Sequence, residues 1–466
     1  MQHMRRVRFS FLSLICLGVF ACVTLFIGCD QFNLDDILSP APIGNTGEND
    51  AAVAITWFEL YLRLIQETPG FSPPVASRAL GYAGVTLYES VVPGMPDYQT
   101  LVGQLNGLTQ LPQADRGQTY HWPTTANSAL ASITRNLFAN ATSANMGAID
   151  ALEEMIAAPY RAEIPAAIYN RSIARGQAVA DAIYAWSKTD GGHEGYARNF
   201  PADYIPPTGP GLWEPTPRRT GAPLSALQPY WGNNRPFVLP DGGNVNAMCD
   251  PGPPPPYSEE PGSAFYAEAF EVYEAVRNLT PEQNDIALFW ADDPGRTATP
   301  PGHSISILNQ LLRQENAPLD IAAEAYAKVG MAIADAFISC WYTKYQYNLV
   351  RPITYIQKVI DATWNTPNIT DPVETPPFPE YSSGHSVQTG AAAQVLTDLF
   401  GNFPFTDHTH DSRGLAPRTF NSFFEMAEET AISRLYGGIH FRAAIDNGVE
   451  QGKCIGMQVS ALRFRK

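Results

Sequence analysis

The segment PPFPEYSSGHSVQTGAAAQVL, residues 376–396, joins a proline-rich stretch directly to an alanine-rich helical pattern. A serine at such a junction caps a helix by accepting a backbone N–H, and glycine lets the preceding turn close. Neither role accounts for His385, because a helix N-terminus disfavours positive charge and presents free N–H groups that suit an anion. We therefore predict a helix over 385–400 whose N-terminus faces an anion.

Outward from this segment, apolar residues recur at intervals of three and four, the spacing of amphipathic helices, and no repeated strand alternation occurs. The predicted helices lie at 51–66, 75–91, 124–141, 144–158, 163–188, 263–277, 281–291, 303–314, 319–344, 352–361, 420–436 and 442–463. We expect a mainly α fold of helical bundles in two halves, 51–262 and 263–466. The proline- and glycine-rich residues 189–262 are expected to form long loops that cover a site.

Composition restricts the class of partner. Of 466 residues, 45% are hydrophobic and 16% are charged, which is typical of a globular protein. The 30 basic and 46 acidic side chains give a net charge of −16, so nucleic acids and anionic membrane surfaces are poor partners. No feature of the sequence indicates an oligomeric state. On an acidic protein, any internal group of cations points to a specific anion.

The N-terminus has the pattern of an export signal. Three arginines within the first eight residues precede an apolar run over 9–28. Residues 26–29, FIGC, resemble the lipobox of bacterial lipoproteins, which implies cleavage before Cys29 and lipid on its thiol. A plain signal peptide or an uncleaved anchor is the alternative. We expect a signal at 1–28, a tether at 29–50, and a protein exported and lipid-anchored to a bacterial membrane.

The remaining cysteines carry little information. Cys249, Cys340 and Cys454 are far apart and no CxxC pair occurs, so neither a zinc site nor a disulfide framework is indicated. A single disulfide among these three is compatible with an exported protein, but the spacing does not identify the pair.

Two cationic residues lie at a predicted helix break. In WYTKYQYNLVRP, residues 341–352, Lys344 ends a long helical pattern and Arg351 precedes a proline. The residue before proline avoids helical backbone, so the chain turns here and both cations can point into one cavity. Taken alone, both are more simply surface charges.

Two further clusters also coincide with helix ends. Ser383, Gly384 and His385 offer a hydroxyl, a backbone N–H and an imidazole, although an ordinary N-cap would look the same. In ISRLYGGIHFRAAIDNG, residues 432–448, Arg434 precedes a Gly-Gly helix end and His440 follows it. Together the three clusters provide what a tetrahedral oxyanion requires, which is guanidinium forks, an ammonium, N–H donors and a proton donor.

The spacings K-x6-RP, SGH and SR-x5-H resemble the superfamily that joins vanadium-dependent haloperoxidases and type 2 phosphatidic acid phosphatases. PPFPEYSSGH, with Phe378, and Trp341 just before Lys344 resemble the haloperoxidase branch. FWADDPG, residues 289–295, resembles an upstream stretch whose acid orients an arginine, which implies this role for Asp293, with Asp292 as the neighbouring alternative.

The resemblance implies vanadate as cofactor, with hydrogen peroxide, halide and a small organic acceptor as reaction partners. His440 would bond vanadium, His385 would act as acid and base, and Lys344 would polarise the peroxide. Vanadate oxygens would be held by Lys344, Arg351, Ser383, Gly384 and Arg434. Trp341 and Phe378 would shape the halide side of the pocket.

One departure from the family pattern concerns His440. The family usually places an aspartate four residues after this histidine, but that position is Ala444 here. Either Asp446 or a backbone carbonyl is expected to orient the His440 ring instead.

Two other functions use the same residues. A phosphatase of the superfamily would use His440 as the nucleophile that accepts the phosphoryl group and His385 as the acid. A non-catalytic lipoprotein would only bind the oxyanion. Elsewhere, DHTHD at 407–411 has metal-binding residue types but is expected to be a solvated loop, and His303 is expected near the site entrance or at a helix cap.

Overall fold

In the computed structural model, residues 45–115, 117–216, 224–364 and 373–466 are described. The predicted signal and most of the predicted tether, with Cys29, lie outside these residues. The helices are α1 (Ala52–Glu67), α2 (Pro73–Val91), α3 (Trp122–Leu137), α4 (Ser143–Glu163), α5 (Ala166–Ser187), α6 (Ala264–Arg277), α7 (Pro281–Phe289), α8 (Thr299–Gln314), α9 (Leu319–Tyr347), α10 (Pro352–Val359), α11 (Gly384–Phe400), α12 (Phe423–Tyr436) and α13 (Arg442–Ser460). The mainly α prediction is confirmed. Among the described residues, no helix has the length and apolarity needed to cross a membrane.

A short antiparallel hairpin interrupts the helices. Strands β1 (Phe405–Asp407) and β2 (Arg418–Phe420) pair with Phe405 opposite Phe420 and Asp407 opposite Arg418. Both strands have three residues, too few for alternation to be recognised in the sequence. The hairpin places Asp407 of the DHTHD segment against His303 of α8, so this residue is not in a solvated loop as the sequence suggested.

Helices α2, α9, α11 and α13 pack closely on one another around the main hydrophobic core. Glycines permit these short distances. A Cβ atom on Gly330 of α9 would lie 2.7 Å from the Leu80 carbonyl oxygen of α2, and one on Gly390 of α11 would lie 2.6 Å from the Val449 carbonyl oxygen of α13. The alanine-rich pattern of α11 thus reflects close helix packing on both of its neighbours.

The loop region 189–262 contains two short 3-10 turns, Gly195–Ala197 and Trp231–Asn233, in its described part. The buried Asp335 of α9 accepts hydrogen bonds from the backbone N–H groups of residues 237, 238 and 239 at 2.6–3.1 Å. A disulfide joins Cys249 to Cys454 of α13, and Cys340 is free and buried. The described residues from 45 onward form one compact unit, and the division into halves at residue 262 stays a prediction.

Candidate functional site

The three sequence clusters meet at one cavity of about 690 Å³. Its wall includes Trp341, Phe378, Gly384, His385, Arg434 and His440. Residues of the predicted covering loop, including Phe200 and Leu227, also line it. Helices α9, α11 and α12 each reach the cavity at an end, where the chain can direct side chains inward.

The predicted helix break after Lys344 is present. Asn348 adopts the left-handed conformation, with φ of 46°, and ends α9 by donating its N–H to the Lys344 carbonyl. Arg351 is extended and precedes Pro352, the first residue of α10. Proline favours this extended conformation in the residue before it.

Lys344 lies behind the cavity wall and is fully buried. Its Nζ donates to the carbonyl oxygens of Pro379 at 3.0 Å, Glu380 at 2.9 Å and Ser382 at 2.5 Å. Burial lowers the pKa of Lys344 to about 7. The three donors of the ammonium are therefore engaged in shaping the backbone that leads into α11, rather than pointing at the cavity.

Arg351 is fully buried and has one guanidinium nitrogen without a partner. Its Nε donates to the Phe378 carbonyl at 2.9 Å, and its Nη1 donates to the Ile439 carbonyl at 2.8 Å and lies 3.2 Å from His440 Nε2. Nη2 is buried without a partner. Burial lowers the pKa of Arg351 to about 10, against the opposing charge of Glu380, so the guanidinium remains a cation at neutral pH.

Ser383 and Gly384 begin α11 as predicted. The Ser383 side chain caps the helix by accepting from Ser386 N–H, and its own N–H donates to the Ala444 carbonyl at 3.0 Å. Gly384 is the first helical residue, so its N–H has no acceptor within the helix. A Cβ atom here would lie 3.5 Å from the Trp341 ring, in ordinary contact.

His385 lines the cavity and offers an unpaired nitrogen. Its Nε2 atom is inaccessible to solvent and has no hydrogen-bond partner. Burial, reinforced by the positive charge of Arg434, holds the pKa of His385 well below its usual value. The neutral imidazole can therefore accept a proton at neutral pH.

Arg434 is buried at the end of α12. Its Nε donates to the Ser433 hydroxyl at 2.9 Å and its Nη2 to the Ala287 carbonyl at 3.1 Å. Burial lowers its pKa to about 10, and the charges of Asp293 and Asp292 oppose this. Asp293 lines the same cavity, and burial raises its pKa against the effect of Arg434. Asp293, which the resemblance implied would orient an arginine of the site, thus lines the same cavity as Arg434.

His440 is held by an acid other than the one predicted. Its Nδ1 lies 2.8 Å from Glu380 Oε1, which also accepts from the Phe441 N–H at 2.9 Å. Asp446 is exposed on α13 and faces Arg442 at 3.9 Å, so the expectation that Asp446 or a carbonyl orients His440 was wrong. The exposed position follows from the helix, since Asp446 is two residues beyond Ala444 and projects to the other side of α13.

The Glu380 carboxyl is fully buried, and its Oε2 has no partner. Burial raises its pKa to about 8, while Arg351 and Lys344 oppose the shift. Oε1 can accept a hydrogen bond in either protonation state of the acid, which fixes the His440 proton on Nδ1 and leaves the Nε2 lone pair toward Arg351. Burial, and then Arg351 and Lys344, hold the pKa of His440 well below its usual value. Glu380 lies within residues 376–396, three residues before Ser383. An acidic residue this close to the SSGH motif is the sequence feature that could have identified it as the partner of His440.

Aromatic side chains form one wall. The Trp341 and Phe378 ring centroids lie 4.9 Å apart, and Trp341 Nε1 donates to the Leu227 carbonyl at 3.2 Å. The Arg351 guanidinium carbon lies 4.9 Å from the Phe378 ring centroid. The predicted aromatic pair therefore lies beside the cations and is fixed by the covering loop.

His303 is neither at an entrance nor at a helix cap. It is fully buried within α8, with Nδ1 2.7 Å from Asp292 Oδ2 and Nε2 2.7 Å from Asp407 Oδ2. His410 Nε2 lies 3.3 Å from Asp292 Oδ1. The expectation that DHTHD is a solvated loop was wrong for Asp407 and His410, which are buried, while His408 and Asp411 are exposed.

The chain matches the family model for the VCPO second helical-bundle domain over residues 324–465. It is 26% identical over 220 residues to a vanadium chloroperoxidase of Curvularia inaequalis, a match that spans 35% of this chain and about a third (36%) of that relative's length. A bacterial vanadium-dependent iodoperoxidase of known crystal structure is 38% identical, with a TM-score of 0.78 over 88% of this chain and 96% of its own. A bacterial vanadium-dependent chloroperoxidase in its holo form has a TM-score of 0.64 at 16% identity, over 93% and 98% of the two chains, and shares the fold.

Proposed function

The chain belongs to the vanadium-dependent haloperoxidase family, and from this premise we propose that it oxidises halide with hydrogen peroxide to hypohalous acid, using vanadate bound in the cavity. The single observation that carries the proposal is a pair of buried, unpartnered nitrogens, Arg351 Nη2 and His385 Nε2, beside a neutral His440. Buried donors and acceptors without partners are costly in a folded protein. An oxygen of a bound oxyanion would accept from Arg351 Nη2, and a protonated oxygen would donate to His385 Nε2.

The residues present fit vanadate. Arg351 and Arg434 provide two buried cations for its oxygens, and the N-terminus of α11 provides backbone N–H groups. His440 Nε2 would ligate vanadium, because Glu380 fixes the ring proton on Nδ1. Lys344 would contribute charge from behind the wall and hold the 379–382 backbone in place.

Bound vanadate supplies a Lewis acid that activates hydrogen peroxide for oxygen transfer to a halide. His385 would take a proton from the incoming peroxide at Nε2 and return it to the departing hydroxide, which its depressed pKa permits. Trp341 and Phe378 would exclude water from the halide side, where a large, weakly hydrated anion contacts ring edges. A cavity of about 690 Å³ also leaves room for a small organic acceptor.

The halide we propose is iodide. The 38%-identical relative is an iodoperoxidase, and iodide is the halide most easily oxidised. Comparing the activity with iodide to the activity with bromide and with chloride tests this choice.

The function is tested with protein that starts at Asp30. After bound anions are removed, orthovanadate is added and halogenation of a β-diketone is followed with peroxide and iodide, bromide or chloride. We expect activity that requires vanadate and is highest with iodide. His440→Ala should lose at least about 100-fold of this activity while remaining folded, and His408→Ala, an exposed control, should not.

Two outcomes would overturn the proposal. Hydrolysis of a phosphate ester that vanadate inhibits, without halogenation, would assign the same residues to a phosphatase. Tight vanadate binding with no turnover of either kind would leave an oxyanion-binding protein.

A further inference from the structure

His303, Asp292 and Asp407 form a buried cluster next to the cavity, whose lining includes Asp292. Each of the three side chains is at most 2% exposed. Both ring nitrogens of His303 lie 2.7 Å from a carboxylate oxygen, Nδ1 from Asp292 and Nε2 from Asp407. An ionised carboxylate only accepts hydrogen bonds, so each nitrogen has to carry a proton. The ring is then an imidazolium between two anions.

The surroundings of His303 agree with a positive charge. The Trp290 ring stacks on the imidazole with centroids 4.5 Å apart and planes within 18°. Burial alone would lower the pKa of His303, but Asp292 and Asp407 outweigh it and raise the value to about 10. The same contacts hold the pKa of both aspartates below their usual range despite burial.

Asp292 connects the cluster to the catalytic cavity through its backbone. It adopts φ of 47°, in the left-handed region that residues with a side chain seldom occupy. Its neighbours on either side face the cavity. The backbone of Ala291 interacts with His385, and the charges of Asp293 and Asp292 act on Arg434. The position of this turn therefore affects both residues.

Asp407 fixes the other side of the ring. It ends β1, and its Oδ1 accepts from the Thr409 N–H at 2.9 Å while Oδ2 faces His303. The hairpin and α8 are thus joined to the strained turn through one imidazole. Asp292, His303 and His410 have donor types that suit a divalent cation and lie within 4.8 Å of one another. To bind a cation, His303 Nδ1 would need a free lone pair. In the contact with Asp292 this nitrogen carries a proton, so no lone pair is free.

We propose that His303 is a positioning residue: held as an imidazolium between Asp292 and Asp407, it keeps the turn 291–293 in place against His385 and Arg434. The effect of His303 on catalysis rests on the proposed function. The charged state of the ring is a separate property of the fold.

Nitrogen NMR of histidine-labelled protein without added metal tests the charge. At pH 8 we expect one histidine, absent from the spectrum of His303→Gln, with protons on both ring nitrogens. A ring with one unprotonated nitrogen, or stoichiometric zinc found by elemental analysis and lost with the same substitution, would overturn the proposal. This result does not depend on any enzymatic activity.

Kinetics test the positioning role. The kcat is calculated per vanadate-binding site, and His303→Gln should lower it about 10-fold. This loss is smaller than the roughly 10²–10⁴-fold that a general base contributes, because His385 itself is still present. Asp407→Asn keeps an acceptor for Nε2 and should lose less, and the exposed His408→Gln should match the wild type. Unchanged kcat in folded His303→Gln, with an active wild type, would reduce His303 to a structural role. An inactive wild type would instead defeat the proposed function.

Discussion

At the scale of single residues, the orientation of His440 depends on an acid that is 60 positions away in the chain. Glu380 accepts from His440 Nδ1 and from the Phe441 N–H with one oxygen. The usual helical position for that acid is occupied by the buried Ala444. An acid that packs from a different segment serves the same purpose, because the ring needs only an acceptor at Nδ1.

Glu380→Gln tests this contact. The amide can still accept from Nδ1 but lacks the negative charge that Glu380 carries above its pKa of about 8, so at pH 9 we expect vanadate affinity to fall by about 10- to 100-fold. Titration of vanadate by calorimetry measures it. Asp446→Asn is the matched control and should bind as the wild type does, since Asp446 is exposed on α13. Equal losses in the two variants would contradict the assignment of Glu380.

At the scale of elements, the Asp292–His303–Asp407 cluster links a helix, a hairpin and a turn through charge. A histidine whose folded pKa is raised stabilises the protein fully below its unfolded value of about 6.5. This stabilisation is lost as pH rises through about 10, the folded value for His303. Stability of the three connected elements should therefore decline on the alkaline side.

His303→Gln should remove that decline. We expect the free energy of unfolding of the wild type to fall more between pH 7 and pH 10 than that of the variant, as measured by urea denaturation at each pH. Other groups that titrate in this range are common to both proteins and cancel in the difference. Parallel pH profiles would show that the ring is not charged in the folded state.

The disulfide between Cys249 and Cys454 connects the covering loop to α13 across 205 residues of sequence. Cross-links of this kind typically stabilise a protein by about 2–4 kcal/mol, mainly by restricting the unfolded chain. We expect the Cys249→Ser/Cys454→Ser double variant to unfold at a temperature several degrees lower, measured by calorimetry. A reducing agent should destabilise the wild type and leave the double variant unchanged. An equal effect of the reductant on both would show that the bond does not form.

At the scale of the whole molecule, the chain is acidic, yet Arg351 and Arg434 are both buried beside the wall of one cavity. With a net charge of −16, the exterior repels anions, while Arg351 and Arg434 are each at most 1% exposed. Buried unpaired cations are unfavourable in themselves, so the bound oxyanion completes the site. We expect vanadate to raise the unfolding temperature of the protein.

We also infer that the whole protein is anchored by lipid at Cys29. Expressed in a bacterium with residues 1–28 present, the protein should partition into the membrane fraction and incorporate labelled palmitate. Cys29→Ser should abolish the label. A labelled Cys29→Ser variant, or a wild type without label, would favour a plain signal peptide or an uncleaved anchor.

The sequence by itself determined the helical fold and predicted several of the residues that line the cavity. Helical periodicity is local, and the motifs at Lys344, Ser383 and Arg434 coincide with helix breaks that proline, glycine and capping residues produce. Only the tertiary structure decided which groups meet across the chain. It selected Glu380 over Asp446 at His440, paired Cys249 with Cys454, and buried His303 between two aspartates. Such pairings depend on how helices pack, and packing over long sequence separations leaves no periodic signal in the chain.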